Sequence, residues 1–240
     1  MDGLIVREVY KSYPGTDGRP FAALRGVSLS LPPGHCTALV GESGSGKSTL
    51  ARLLTGVERP DGGQILLDGE DTAEWGWREW RPRRGKLQAV FQDTAGTLNP
   101  RLSPLRNVEE AMVNLTNWSA AQRRARIDEL MTLTHMESRL LDTPVRRLSG
   151  GEQRRLSLLR ALAIRPKYLI LDEVLSGLDL ISADAVMTLL ERYRQEYACA
   201  ILLVTHDMGS AYRLSDTILT MHGGQIVRTG IKNPKKGTTP

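Results

Sequence analysis

The run Gly41-Glu42-Ser43-Gly44-Ser45-Gly46-Lys47-Ser48-Thr49 constrains this chain more than any other feature, because it fits the pattern G-x-x-x-x-G-K-S/T. An apolar, strand-like run at 37–40 precedes it and a helix-like run at 50–54 follows it. Strand, loop and helix must therefore meet at this point. Glycines at Gly41, Gly44 and Gly46, with Ser43 among them, let successive backbone N–H groups turn toward one anion, and the helix N-terminus adds unsatisfied donors and a favourable dipole. Lys47 is placed to bring a point charge to β- and γ-phosphates. The Ser48 hydroxyl suits Mg²⁺, a hard cation that takes oxygen ligands. Thr49 falls on the α-phosphate side.

The surrounding pattern reads as α/β. Strands are expected at 4–9, 27–31, 37–40, 64–67 and 87–91, where apolar runs alternate or continue between turn residues. Two later runs, 168–171 and 200–204, have the continuous hydrophobicity of strands buried on both faces. Between them Val186, Leu189, Leu190, Tyr193 and Tyr197 fall on one helical face, with Arg192, Arg194 and Glu196 opposite. That alternation indicates a parallel core. From 99 to 165 strand signals give way to helical ones. Ser119 with Gln122 and Ser149 with Glu152 are capping-box pairs, the second opening a helix expected to run to about residue 165 before Pro166 stops it.

A second chemical feature follows the run at 168–171. Asp172 and Glu173 are adjacent carboxylates at the end of a buried strand, where open α/β sheets place ligands. Successive strand residues point to opposite faces, so the two divide the work: Asp172 to hold Mg²⁺, Glu173 to polarise the attacking water.

Composition excludes other classes. Hydrophobic residues make up 40% and charged residues 25%, the balance of a globular chain rather than a disordered or fibrous one. No apolar stretch approaches the roughly 18 to 20 residues a membrane-spanning helix needs. The first ten residues lack a secretory signal pattern, so the cytoplasm is the expected compartment. Cys36 and Cys199, in strand-like apolar runs without metal-ligand spacing, read as buried free thiols. The net charge of +5 comes from scattered arginines and does not by itself indicate nucleic acid. Trp75, Trp77 and Trp80, with Arg78, Arg81, Arg83 and Arg84 nearby, read as packing residues and a solvated basic edge.

Leu148-Ser149-Gly150-Gly151-Glu152, lying between Lys47 and Glu173 in the chain, resembles the signature of ABC-transporter ATPases. The resemblance extends over nearly the whole chain. Gln92 in Phe91-Gln92-Asp93 resembles the Q-loop, Ser176-Gly177-Leu178-Asp179 the D-loop, and His206 in Val204-Thr205-His206-Asp207 the H-loop switch. Tyr13 occupies the aromatic position that stacks on adenine in that family.

The resemblance implies the ABC ATPase fold: a P-loop NTPase core with a mostly parallel sheet, an antiparallel β subdomain and an inserted helical subdomain. Core and β subdomain are expected at about 1–92 and 166–231, the helical subdomain at about 93–165, and a flexible tail at 232–240. It implies ATP and Mg²⁺ as cofactors, with Ser48, Gln92 and Asp172 toward the metal and Glu173, Gln92 and His206 in catalysis. Ser149, Gly150, Gly151, Glu152 and Asp179 are implied to act on the nucleotide of a second ATPase subunit, paired head to tail as a homo- or heterodimer.

The segment 91–100 is similar to the F-Q-D-P-x-x-S-L-N-P stretch of importers for dipeptides, oligopeptides, nickel and metal-chelating opines, with Thr94 and Thr97 departing from it. This implies permease subunits contacting residues 99–110, a substrate-binding protein in the full complex, and a place on the cytoplasmic face of the membrane. Val174, Leu175 and Ser176 replace the proline and threonine common after the catalytic glutamate, and a His-Pro-Tyr segment after Gly230 is missing. The alternative is an ABC ATPase acting on nucleic acid or ribosomes. Such proteins generally carry two cassettes, a coiled-coil insertion or zinc-binding cysteines, and this chain has none of these marks.

Overall fold

The computed structural model describes residues 3–15, 18–92, 97–133 and 136–231. Asp93, Thr94, Ala95 and Gly96 of the importer-like segment, and the tail expected at 232–240, lie outside the described residues.

Along the chain run β1 (Leu4–Pro14), β2 (Pro20–Leu31), β3 (Cys36–Val40), α1 (Lys47–Leu54), β4 (Gly62–Leu67), β5 (Glu70–Asp71), α2 (Trp77–Arg83) and β6 (Leu87–Val90). Then come α3 (Pro104–Leu115), α4 (Ala120–Leu133), α5 (Gly150–Ala163), β7 (Tyr168–Asp172), α6 (Leu180–Tyr197), β8 (Ala200–Thr205), α7 (Met208–Leu214), β9 (Thr217–His222) and β10 (Gln225–Ile231). Two 3-10 turns, Ser138–Asp142 and Val145–Arg147, lead into α5. The chain divides into two compact units, Met1–Gly76 with Ala200–Pro240 and Trp77–Cys199.

The first unit holds an antiparallel sheet in the order β2-β1-β4-β5 and the strands β10-β9-β3-β8, in which β3 pairs parallel with both neighbours and β9 pairs antiparallel with β10. Every residue of β3 and β8 is buried, as their unbroken apolar runs require. β1 reaches five residues beyond its expected end at Val9. The cause is a bulge: Glu8 has φ 46° and the register with β2 shifts between Val6 and Val9. Leu4, Val6 and Val9 all face the core, so one extra residue resets the alternation and hides the second half of the strand from a period-two reading.

The second unit pairs β6 parallel with β7 and packs α3 and α4 against α5. Val108, Met112, Leu156 and Leu159 are almost fully buried among these helices. Both expected capping boxes form. Gln122 N–H donates to Ser119 Oγ at 3.3 Å while Gln122 Oε1 accepts from Ser119 N–H at 2.8 Å, and Ser149 with Glu152 does the same ahead of α5. α5 ends at Ala163, slightly short of the expected 165, because Arg165 turns to φ 56° before Pro166.

Arg126, only 3% exposed, holds that helix end. Its guanidinium donates to Leu162 O at 3.0 Å and Ala163 O at 3.4 Å, satisfying carbonyls of the last turn, and pairs with Glu129 at 2.7 Å. Asn107, buried on α3, holds the stretch before it: Oδ1 accepts from Asn99 N–H at 2.8 Å, and Nδ2 donates to Asn99 O and Ser103 O at 3.1 Å. Both cysteines are buried and free, although Cys199 precedes β8 rather than lying in it. Trp75 and Trp80 are buried, Trp77 is exposed, and the Arg84 guanidinium lies 4.9 Å from the Trp80 ring centroid.

Candidate functional site

In the first unit β3 delivers the chain into the loop 41–46, and the loop shape is dictated by what stands behind it. A Cβ on Gly41 would lie 2.2 Å from Met221 O, and one on Gly46, where φ is 107°, would lie 2.5 Å from Ala23 O. No side chain fits at either position. The turn between β9 and β10 backs the loop, with Gly224 N–H donating to Ser45 O at 3.0 Å. Gly44, by contrast, has nothing within 4 Å of its missing Cβ, and Ser43 is exposed.

α1 starts at Gly46 without a side-chain cap, whereas Ser103, Ser149, Asp179 and Asp207 cap α3, α5, α6 and α7. Its first N–H groups and dipole are thus left facing the glycine loop, the arrangement that receives an anion. Lys47, mostly buried, carries its ammonium back to that loop and donates to Gly41 O at 2.7 Å and Glu42 O at 2.8 Å. Ser48 is half-buried and Thr49 buried on the first turn.

The parallel register pairs Val40 with Thr205, so His206 leaves β8 beside the start of the loop. Its neighbours are pinned. Asp207 N–H donates to Thr205 Oγ1 at 3.0 Å, and the Asp207 carboxylate caps α7, accepting from Gly209 N–H at 3.1 Å and Ser210 N–H at 2.9 Å. The Ser210 hydroxyl, followed by these amides, holds the Asp207 carboxyl below its ordinary range. His206 itself is exposed. Tyr13, near the end of β1, is half-buried and donates its hydroxyl hydrogen to Glu58.

The second unit repeats the logic of paired strand ends. Val90 pairs with Leu171, so Gln92 after β6 and Asp172-Glu173 at the end of β7 emerge from neighbouring strands. Asp172 is the last strand residue and 3% exposed. Glu173 follows at φ 54°, a left-handed conformation that costs a non-glycine residue about 1–2 kcal/mol. The two carboxylates are separated by this turn, not by strand alternation as expected from the sequence. Gln92 is exposed.

Ser149 caps α5. Its hydroxyl accepts from Glu152 N–H at 3.3 Å and donates to Glu152 Oε2 at 2.8 Å, and Ser149 N–H donates to the same oxygen at 2.8 Å. The Ser149 amide, then its hydroxyl, lower the Glu152 carboxyl below its ordinary range. A Cβ on Gly150 would meet nothing within 4 Å, and one on Gly151 would meet Leu178 Cδ2 at 3.6 Å. This helix start and the turn 176–179 are therefore neighbours, joined by a hydrogen bond from Arg154 to Ser176 O. Asp179 caps α6, accepting from Ser182 N–H at 2.9 Å and from the Ser182 hydroxyl at 2.6 Å, which holds its carboxyl below the ordinary range, the hydroxyl first. Leu180 and Ile181 follow, 90% and 84% exposed.

Sequence reasoning missed the parts that hold these loops: Arg154, the turn behind the glycine loop, and Asn107. None carries a local pattern. A family model described as ABC transporter matches residues 24–176. The chain belongs to this family.

This ABC transporter chain is 40% identical over 214 residues to the nickel import ATP-binding protein NikE of Escherichia coli O6:K15:H31 (strain 536 / UPEC), covering 89% of the chain and 80% of that protein. The NikE of Escherichia coli K12 is 39% identical over the same length. Among solved structures, the dimeric ABC transporter cassette MJ0796 matches with a TM-score of 0.88 at 29% identity, over 95% of this chain and 98% of that one. A second MJ0796 structure, a dimeric post-hydrolysis state bound to ADP and Pi, matches with a TM-score of 0.87 at 28% identity, over 95% and 98%.

The expected ABC ATPase fold is present, and the chain is an ATP-binding, ATP-hydrolysing subunit of an ABC importer. Cassettes of this family dimerise and work with permease subunits. Among the described residues no helix is long and apolar enough to cross a membrane.

Proposed function

We propose that the chain binds Mg·ATP on 41–49 and hydrolyses it to power an importer for nickel, peptides or a metal chelate, from the cytoplasmic face of the membrane. The carrying observation is the uncapped start of α1 behind a glycine loop that has no room for side chains at Gly41 and Gly46. The cargo reading is supported by the likeness to NikE and by the importer-like stretch around Asn99 and Pro100.

Lys47 neutralises β- and γ-phosphate charge, Thr49 serves the α-phosphate side, and Tyr13 stacks on adenine. The donor set suits Mg²⁺, since the Ser48 hydroxyl, the Gln92 amide oxygen and the buried Asp172 carboxylate are all hard oxygen ligands. When bound, the metal supplies charge neutralisation at the phosphates. Glu173 takes the proton of the attacking water, and His206 donates a hydrogen bond to the γ-phosphate as charge develops.

Ser149, Gly150, Gly151, Glu152 and Asp179 serve the nucleotide of a second ATPase subunit, the same chain or a related one. This head-to-tail reading is supported by the open space at Gly150 on the first turn of α5, the tie of that helix to the turn 176–179, and the exposed Leu180 and Ile181 beside it. The helical subdomain at about 93–165 receives the permease through residues 99–110, with a substrate-binding protein completing the complex and no nucleic acid as partner.

In the assembled complex, Glu173→Gln is expected to bind Mg·ATP normally and to lose turnover, because the base is removed while the phosphate cradle stays. Steady-state hydrolysis at the wild-type rate would refute the assignment.

A further inference from the structure

The hydroxyl of Tyr13 is one end of a chain of polar side chains. It donates to Glu58 Oε2; Glu58 Oε1 accepts from Arg52 Nε at 2.6 Å; and Arg52 Nη2 donates to Thr49 Oγ1 at 3.3 Å. Thr49 and Arg52 lie on α1, the helix that begins at the glycine loop. Glu58 follows the end of that helix. The chain of contacts therefore runs from the aromatic ring to the first turn of the phosphate-side helix.

The segment carrying Glu58 also grips β1 from the backbone side. Asp61 N–H donates to Tyr10 O at 2.9 Å, Asp61 Oδ2 accepts from Ser12 N–H at 2.7 Å, and the Lys11 ammonium donates to Asp61 Oδ1 at 2.9 Å and Arg59 O at 2.8 Å. The same ammonium lies 5.7 Å from the centroid of the Tyr13 ring. The end of β1 is thus fixed against the residues just after α1, and only the ring itself is left to be aimed.

A tyrosine ring turns about two side-chain torsions, and a hydrogen bond from its hydroxyl to an immobile carboxylate removes that freedom. Arg52 holds the other oxygen of Glu58, so the carboxylate is fixed from two sides. Arg52 also balances its charge, as the two form an ion pair at 2.6 Å. A neutral acceptor could hold the hydroxyl but would not draw in Arg52, the link to Thr49.

Resting on the reading of Tyr13 as the adenine platform, we infer that Glu58 and Arg52 are positioning residues for nucleotide binding. They fix the ring of Tyr13 relative to α1, so that base and phosphates are received at a set separation. Their effect falls on the base and not on the phosphates.

The test is titration calorimetry of the full chain with Mg·ATP and, separately, Mg·tripolyphosphate, which has the phosphates but no base. Tyr13→Ala is expected to weaken ATP about tenfold, the scale of a lost base–aromatic stack, and to leave tripolyphosphate unchanged. Tyr13→Phe and Glu58→Ala are each expected to weaken ATP roughly threefold with tripolyphosphate unchanged, the scale of one net hydrogen bond. The double variant should be no weaker than either single one, since both remove the same contact. Glu58→Gln keeps one acceptor for the tyrosine but cannot also accept from Arg52, so it is expected to weaken ATP no more than Glu58→Ala, with tripolyphosphate unchanged, and it serves if Glu58→Ala is poorly folded.

Wild-type ATP affinity in Tyr13→Phe and Glu58→Ala, with Tyr13→Ala weakened, overturns the positioning role and leaves the platform intact. Wild-type affinity in Tyr13→Ala overturns the platform itself. Equal loss of ATP and tripolyphosphate in Glu58→Ala and Glu58→Gln, or additive loss in the double variant, assigns the network to folding alone and overturns the inference.

Discussion

Gly46 and Gly44 belong to the same loop, yet the structure assigns them different energetic roles, and alanine at each position separates them. At Gly46 φ is 107°, a conformation that L-residues rarely adopt and that costs about 1–3 kcal/mol to hold. A Cβ there would also lie 2.5 Å from Ala23 O, 2.9 Å from Leu24 Cδ2 and 2.9 Å from Met221 Cε. The two side-chain contacts can yield by changing rotamer. The carbonyl cannot, because Ala23 lies within β2, and overpacking of this kind adds about 1–3 kcal/mol.

Gly46→Ala is therefore expected to destabilise the nucleotide-free protein by about 4 kcal/mol, near the middle of the summed range. At about 2–4 °C per kcal/mol for a chain of this size, its thermal midpoint falls by about 8–16 °C. Gly44→Ala meets nothing within 4 Å and carries only the strain of φ 79°, about 1–2 kcal/mol or about 2–8 °C. Differential scanning calorimetry without nucleotide reads both. Adding Met221→Ala to Gly46→Ala should recover little, because the backbone contact stays. If Gly46→Ala melts within about 2 °C of wild type, or below Gly44→Ala in its effect, the loop is not shaped by its backing and the steric argument is wrong.

Lys47→Ala removes the charge that now rests on Gly41 O and Glu42 O, and ATP affinity is expected to drop at least about tenfold in equilibrium titration, with wild-type affinity counting against the assignment. Ser149→Ala loses the cap of α5 and should cost about 1 kcal/mol by chemical denaturation even without nucleotide. The partner of that cap titrates: the Glu152 carboxyl is depressed by the Ser149 amide and hydroxyl, so its contribution is full above the unfolded carboxylate range and is lost as pH falls through the lower folded value. The difference in thermal midpoint between wild type and Glu152→Ala should therefore shrink on acidification, and a difference that stays constant would exclude this linkage. Asn107→Ala strands the Asn99 and Ser103 backbone groups it now satisfies, and a loss of about 2–4 kcal/mol is expected from denaturant titration.

The parts of the fold visible in the sequence were those whose signal is local. A glycine run between a strand and a helix, a capping pair such as Ser119 with Gln122, and the buried face of α6 each depend on residues close in the chain. What escaped depends on distant ones. The bulge at Glu8 is set against Ser28, whose hydroxyl accepts Glu8 N–H at 2.9 Å, and no period-two count anticipates a residue that breaks the count. Arg154 reads as one more arginine on a polar helix until Ser176 O appears beside it. Tyr13 was legible only through the resemblance to the family's aromatic position, and its carboxylate partner was not, because Glu58 reaches it only after α1 has turned the chain around. The turn of Glu173 into φ 54° was likewise hidden, since the alternation expected of a continuing strand, which ends at Asp172, already assigned the two carboxylates different directions.

Register poses a further physical question, because β3 and β8 are buried on both faces and alternation cannot fix how they pair. A slip by one residue would leave both strands just as apolar, yet it would move His206 relative to Gly41. The structure sets the register at the entrance to β3 instead. Cys36 N–H donates to the Asp216 carboxylate at 2.9 Å and Asp216 N–H donates back to Cys36 O at 2.8 Å, which sets β3 against β9, while Ile201 N–H donates to His35 O at 2.8 Å at the start of the pairing with β8. These bonds involve polar groups at the strand ends, where a mismatch would leave donors and acceptors unpaired beside a buried core. The ends of the strands farthest from the glycine loop thus determine which residues stand beside it, and Val40 opposite Thr205 is the outcome.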